Sequence, residues 1–308
     1  MSDHTGYFDL QVNGYGGVDF NQDGLVPADL HLACERLERD GVGGALATII
    51  TEKLDLMLAR LRRLVELREK DELVQRLIPG IHIEGPFINE ALGFVGAHPP
   101  DAVIPADRET AKRLLDACEG LLKLFTLAPE RDPNFAVTQF LSDAGVTVSA
   151  GHTDASLEQL RGSIDAGLRM FTHTGNGCPM QVHRHDNIIQ RALHLREKLW
   201  LCFIADTVHV PAYALKNYLD LAGERAIVVT DAIAPAGLGP GRYTVGRWDL
   251  IIGEDMVSRS PDGSHFVGTA ITMRQSYANL RSKLGLDEAK CRALLRDNPR
   301  RALGSSWF

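Results

Sequence analysis

Short apolar runs alternate with helix-spaced stripes along most of this 308-residue chain. The runs are Phe8–Val12, Gly44–Ile49, Leu77–Ile83, Leu122–Leu127, Thr147–Ala150, Met170–Thr172, Leu201–Ala205 and Ala226–Thr230, and each predicts a buried strand. Between them, Leu54, Leu58, Leu61 and Val65 recur at helical spacing with Arg and Glu on the opposite face. Ser156 opens a second such stripe, with Leu157, Leu160 and Ile164 on one side. Strand and helix in alternation build βα units around a parallel sheet. Eight such units predict a closed α/β architecture, the (β/α)₈ TIM barrel, because an open sheet of that width leaves edges to cover. Gly237–Ser264 departs from the pattern: it is rich in Gly and Pro and carries alternating segments at Arg242–Val245 and Trp248–Ile252. It predicts a β-hairpin excursion over 237–264 before a last helical section near Ile271. No repeat or linker interrupts the chain, so 1–308 reads as a single domain.

Composition narrows the partners. Hydrophobic residues are 44% and charged residues 24%, the range of an ordinary globular protein. A net charge of −7 provides no basic stripe for phosphates, which excludes nucleic acid, and an anionic small substrate needs a local cationic pocket. The five cysteines, Cys34, Cys118, Cys178, Cys202 and Cys291, are scattered and never form a C-x-x-C pair, which argues against a disulfide framework. Met1 to Gly6 has no basic segment leading into an apolar one, and no apolar run has the length of a membrane span. The expectation is a cytoplasmic protein with no membrane partner.

In barrel enzymes the chemistry sits at the C-terminal ends of the strands. In Ile81-His82-Ile83-Glu84 the period of two puts His82 and Glu84 on the barrel face and both isoleucines toward the helices. An ionised Glu in a desolvated mouth demands a cation or a metal, the alternative being an Arg partner. Gly151-His152-Thr153 and Thr172-His173-Thr174 deliver imidazoles from two further strand ends, although either alone reads equally well as a structural histidine. Two imidazoles, a carboxylate and an open water position form a catalytic metal arrangement, so Glu84, His152 and His173 are the candidate ligands. Asp231 ends the last apolar strand and is the candidate for moving the proton of a metal-activated water; its alternative role is to cap the following segment.

These pieces, in this order, resemble the N-acetylglucosamine-6-phosphate deacetylase branch of the amidohydrolase superfamily. The resemblance rests on Asp9-Leu10-Gln11-Val12-Asn13-Gly14-Tyr15-Gly16-Gly17, on Gly80-Ile81-His82-Ile83-Glu84-Gly85-Pro86-Phe87 followed by Gly96-Ala97-His98, and on Ala150-Gly151-His152-Thr153. Further matches are Thr172-His173, Asp206-Thr207-Val208-His209-Val210, Val229-Thr230-Asp231-Ala232 and Asn298-Pro299-Arg300-Arg301-Ala302-Leu303-Gly304. The resemblance implies a metal-dependent hydrolase that removes the acetyl group of an amino sugar phosphate. In this chain it assigns the metal to Glu84, His152 and His173, the base and acid role to Asp231, carbonyl polarisation to His98 and a substrate contact to His209. Related enzymes bind a second metal through H-x-H on the first strand, where this chain has Gln11-x-Asn13; amide oxygens are weak ligands, so one divalent ion is expected. Zinc is the first expectation, with iron, cobalt or manganese accepted by the same donors.

Three departures from the family pattern bear on substrate. Thr174-Gly175-Asn176-Gly177-Cys178-Pro179-Met180 replaces a Leu-Phe-Asn-Ala-Met-like run, leaving Asn176 and Gly177 as substrate contacts. Arg184, beside His183 and His185, is the candidate phosphate ligand, since a guanidinium grips phosphate through two parallel hydrogen bonds; a solvated loop arginine is the alternative. Strand one begins at about Phe8 and the chain ends at Phe308, so the family's small β-sandwich is expected to be mostly or wholly missing. The resemblance implies a subunit interface that completes part of the pocket, which the missing sandwich changes, and a homodimer is the candidate partner state. Competing readings are an amidohydrolase for another N-acyl amine or cyclic amide, a metal-free sugar-phosphate barrel enzyme, and a non-catalytic binding barrel. The metal-free reading wants a Lys at a strand end, and Lys123 lies early in its strand.

Overall fold

All eight apolar runs form strands of one parallel sheet: β1 (Tyr7–Val12), β2 (Val42–Ile50), β3 (Gly80–Glu84), β4 (Leu122–Leu127), β5 (Thr147–Ala150), β6 (Leu168–Phe171), β7 (Trp200–Ile204) and β8 (Ala226–Val229). They pair in chain order. The ends meet where the Asn13 N–H donates to the Ala232 carbonyl at 2.7 Å and the Thr230 hydroxyl donates to Asp9 Oδ2 at 2.5 Å, which closes the barrel. The computed structural model describes residues 6–246, 248–263 and 266–304, the side chain of Trp248 excepted. Residues 1–5 of the N-terminal segment, residues 305–308, and Arg247 and Ser264 of the expected excursion therefore lie outside the described residues.

Two packed layers hold the barrel. Phe8, Leu10, Leu46, Leu124, Met170 and Ile227 fill its interior floor, while Ile49, Ile81, Ile83 and Phe125 face the helices. Gly44 lets β2 approach the Phe8 ring, since a Cβ there would stand 2.6 Å from a ring carbon. The helix Leu54–Glu69 buries Met57, Leu58, Leu61, Leu64, Val65 and Leu67, as its stripe requires, each fully buried Leu contributing about 1.5–3 kcal/mol. Ser156 caps Leu157–Asp165 in a reciprocal capping box with Gln159.

Some boundaries differ from the pattern. Leu77 ends the helix Glu72–Leu77, whose first turn is capped by Asp71 accepting from the Leu73 and Val74 N–H groups; Pro79 then stops it, and β3 begins at Gly80. The excursion is larger than a hairpin. Strands β9 (Gly241–Val245), β10 (Trp248–Ile252), β11 (Val257–Arg259) and β12 (Phe266–Thr269) form a four-stranded antiparallel sheet in which the expected hairpin is the first half. Its second half is too short for a period-of-two signal. Thr269 ties the sheet to the barrel, its N–H donating to Asp231 O at 3.0 Å and its hydroxyl to Thr230 O at 2.7 Å. Apart from this sheet and a two-residue ribbon pairing Gly14–Tyr15 with Val18–Asp19, no β-structure lies outside the barrel among the described residues. None of the five cysteines is paired, and burial pushes the thiols of Cys34, Cys118 and Cys202 up. No described helix is long and apolar enough to cross a membrane.

Candidate active site

The barrel delivers the four sequence-predicted groups to one mouth. Glu84 is the last residue of β3, and His152, His173 and Asp231 each stand two residues beyond β5, β6 and β8. The last three have left-handed backbones, with φ of 51°, 28° and 53°. Such conformations cost a non-glycine residue about 1–3 kcal/mol each and persist where the surrounding structure enforces them, commonly at functional sites. Here the reversal takes each side chain out of the strand alternation and turns it into the mouth.

The donor atoms converge. Glu84 Oε1 lies 3.0 Å from His173 Nε2 and 3.2 Å from His152 Nε2, and the two imidazole nitrogens are 3.2 Å apart. His98 Nε2 stands 3.3 Å from His152 Nε2 and 4.0 Å from Glu84 Oε2. The far side of the His152 ring is anchored, its Nδ1–H donating to the Phe94 carbonyl at 2.6 Å, which aims Nε2 at the shared point. That nitrogen faces a carboxylate oxygen and two further ring nitrogens. A proton on one imidazole or a metal ion satisfies these converging atoms, and the donor set suits a divalent metal, with Glu84, His98 and His152 close enough to share an ion. Burial alone would raise the Glu84 carboxyl, but hydrogen bonds and charge from His152 and His173 hold it well below the usual carboxylate range. Burial lowers His82 to about 4 and His98 to about 3, so both are neutral at pH 7.

Asp231 caps no helix. Its Oδ1 accepts from Gln11 Nε2 at 3.0 Å and Asn13 Nδ2 at 2.7 Å, and the same Gln11 amide donates to Glu84 Oε2 at 3.1 Å. An irregularity between Asp9 and Val12 allows Leu10 to fill the floor while Gln11 faces the mouth. Gln11 and Asn13 thus offer N–H groups to the carboxylates in place of metal ligands. Burial and the Glu84 charge raise the Asp231 carboxyl to about 6, against the opposing pull of His173 and the Asn13 donor.

Asn13, Glu84, His98, His152, His173 and Asp231 line a cavity of about 640 Å³. No family model matches the chain. Individual proteins do. The chain is 28% identical to an N-acetylgalactosamine-6-phosphate deacetylase of Escherichia coli O157:H7, over 97% of this chain and 77% of that one. It is 31% identical to an N-acetylgalactosamine-6-phosphate deacetylase of Shewanella sp. (strain ANA-3), over 92% of this chain and 70% of that one. The solved N-acetyl-D-glucosamine-6-phosphate deacetylase of Mycobacterium smegmatis, a mutant in complex with N-acetyl-D-glucosamine-6-phosphate, superposes with a TM-score of 0.86 at 30% identity, covering 97% of this chain and 77% of that one. The chain belongs to the N-acetylglucosamine-6-phosphate deacetylase family.

Within this family framework the remaining candidates separate. His98 lines the cavity with its Nδ1 2.9 Å from Thr51 Oγ1. His209 lines it too, its Nδ1 2.5 Å from Asp206 Oδ2, while Asp206 Oδ1 accepts the Val208 and His209 N–H groups. Asn176 and Gly177 also face the cavity, and a Cβ on Gly177 would crowd the His152 and His173 rings at 3.1–3.3 Å. Arg184 does not join them; it is exposed on the loop after Met180 and is absent from the lining. Among the described residues, the Arg or Lys that lines the cavity is Arg60, already engaged with Asp23 at 2.7 Å and Glu52 at 3.9 Å. Sequence reasoning missed the donor role of Gln11 and Asn13, the Thr51 support of His98 and the Phe266 ring 4.7 Å from that of His209. The Asp206–His209 spacing of three was the one available signal for an orienting carboxylate.

Proposed function

We propose that this chain, folded as one domain, hydrolyses the acetamide of an N-acetylated amino sugar phosphate of the N-acetylglucosamine-6-phosphate kind, giving acetate and the free amine. The observation that carries the reading is the convergence of Glu84, His152 and His173 on one point, with Gln11 bridging Glu84 to Asp231. The named activities of the relatives support it, and the cavity has the volume of a small-molecule site. Zinc is the proposed ion, held by Glu84, His152 and His173, with iron, cobalt or manganese compatible with the same donors. When bound, the ion supplies Lewis acidity toward the carbonyl and lowers the pKa of water. Asp231 accepts the proton of the attacking water and passes it to the nitrogen as the C–N bond breaks. Neutral His98 donates to the developing oxyanion, and His209, Asn176 and Gly177 orient the sugar. Acetate release from phosphorylated and plain N-acetylhexosamines tests the reading: the phosphorylated sugars are the better substrates, and no release from any of them would overturn it.

A carboxylate base imposes a pH dependence. Asp231 accepts a proton only when ionised, so kcat/KM falls as pH drops through its pKa, and the acid limb lies at or below about 6 because a bound cation lowers the carboxyl further. Asn13→Leu removes a donor that favours the ionised form and moves the limb to higher pH, read from the kcat/KM profile.

Phosphate needs a cation, and Arg60, the lining cation among the described residues, is already engaged with Asp23 and Glu52. Arg184 supplies it to a neighbouring copy in a homodimer. Leu92 and Met180, 93% and 98% exposed on the loops at the mouth, give that interface apolar contacts. Arg184→Ala therefore lowers kcat/KM for phosphorylated substrate and leaves plain sugars unchanged. Mixing inactive Asp231→Asn subunits with Arg184→Ala subunits restores activity; unrestored mixtures would show that Arg184 does not act across subunits. Five unpaired cysteines accord with a cytoplasmic location.

A further inference from the structure

One layer beneath the mouth, five buried polar side chains run across the barrel. Thr48 on β2, His82 on β3, Thr126 on β4, Ser149 on β5 and Thr172 just after β6 are each no more than 2% exposed. His82 Nδ1 is 3.2 Å from Thr48 Oγ1, and its Nε2 is 2.8 Å from Thr126 Oγ1. Thr126 Oγ1 is 2.8 Å from Thr172 Oγ1, which is 2.6 Å from Ser149 Oγ. Thr48 Oγ1 also accepts the Val12 N–H at 3.0 Å.

Every proton in the row finds an acceptor in one direction. The Thr48 hydroxyl donates to His82 Nδ1, His82 Nε2–H to Thr126, Thr126 to Thr172, Thr172 to Ser149, and Ser149 to the Ala150 carbonyl at 3.5 Å. In the opposite direction the Thr48 proton has no acceptor in the row. Rows of this kind polarise one another, and an interrupted one leaves a buried polar group unsatisfied.

The row spans the strands that present the proposed ligands. His82 lies two residues before Glu84 on the same face, Ser149 three before His152, and Thr172 immediately before His173. Between them Gly151 has no room for a Cβ, which would stand 2.7 Å from Thr126 Cγ2 and 3.0 Å from Thr172 Cβ. A shift of one strand end against the next would therefore break a hydroxyl contact as it moved a ligand. We propose that Thr48, His82, Thr126, Thr172 and Ser149 are positioning residues that lock the three ligand-bearing strand ends in mutual register and so set the tightness of metal binding.

The proposal rests on Glu84, His152 and His173 holding the ion. Its test is metal retention by purified holoenzyme against graded chelator, read as metal per chain, in the wild type, Thr172→Val and Thr172→Ser. Val keeps the shape and loses the hydroxyl; Ser keeps the hydroxyl. The expectation is that Thr172→Val gives up metal at about tenfold lower chelator, in the range seen when outer hydrogen bonds of a metal site are removed, and that Thr172→Ser stays within about twofold of wild type. Ser149→Ala cuts the same contact from the other side and gives the same loss if Thr172→Val does not fold. Equal retention by the folded hydroxyl-deleted variant, or equal loss by Val and Ser, would overturn the positioning role. Wild-type protein without metal would instead overturn the metal reading on which it stands.

Discussion

Asp231→Asn lowers kcat by about 10²–10⁴-fold, the contribution typical of a positioned acid or base, while the protein folds and keeps its metal. An asparagine oxygen still accepts from Gln11 and Asn13, which hold the present carboxylate at 3.0 and 2.7 Å, so the replacement conserves the local network. What it loses is the capacity to bind and release a proton. The result is checked by steady-state acetate release alongside elemental analysis of the same sample. Wild-type turnover with full metal content would remove Asp231 from the mechanism.

Glu84→Gln acts one step earlier. Its carboxylate lies 3.0 and 3.2 Å from the two imidazoles and is held charged by them. Substitution replaces an anionic ligand with a weak neutral one and turns an N–H group toward lone pairs or toward the ion. Metal affinity falls by more than about 100-fold, beyond the loss expected for an outer-shell contact, and turnover falls with it. Metal per chain after dialysis reports the effect. Unchanged retention by Glu84→Gln would move the ligand set elsewhere, with His98 the nearest replacement.

The parts legible in the sequence were those governed by local periodicity. Apolar runs between helix stripes placed all eight strands, and the alternation Ile81-His82-Ile83-Glu84 correctly set Glu84 inward and the isoleucines outward. The placement of Glu84, His152, His173 and Asp231 at strand ends was legible because a polar residue closing an apolar strand stands out. Less visible were features fixed by tertiary geometry. Nothing in Asp9-Leu10-Gln11-Val12-Asn13 announces the irregularity that turns Gln11 toward Glu84, and a motif that looks like a missing metal site proves to be a pair of hydrogen-bond donors. Arg184 was reached by resemblance alone, and it lies away from its own cavity because loop direction leaves no trace in residue type. The four-stranded sheet was half seen, since Val257–Arg259 and Phe266–Thr269 are too brief to show a period.

Anomalous diffraction from crystals of the purified protein, recorded at the absorption edge of the metal it carries, reaches the core of the account most directly. The expected map has one strong peak about 2.0–2.2 Å from a Glu84 oxygen and from Nε2 of His152 and His173. A map with no peak there, or with the ion bound outside the barrel mouth, would contradict it.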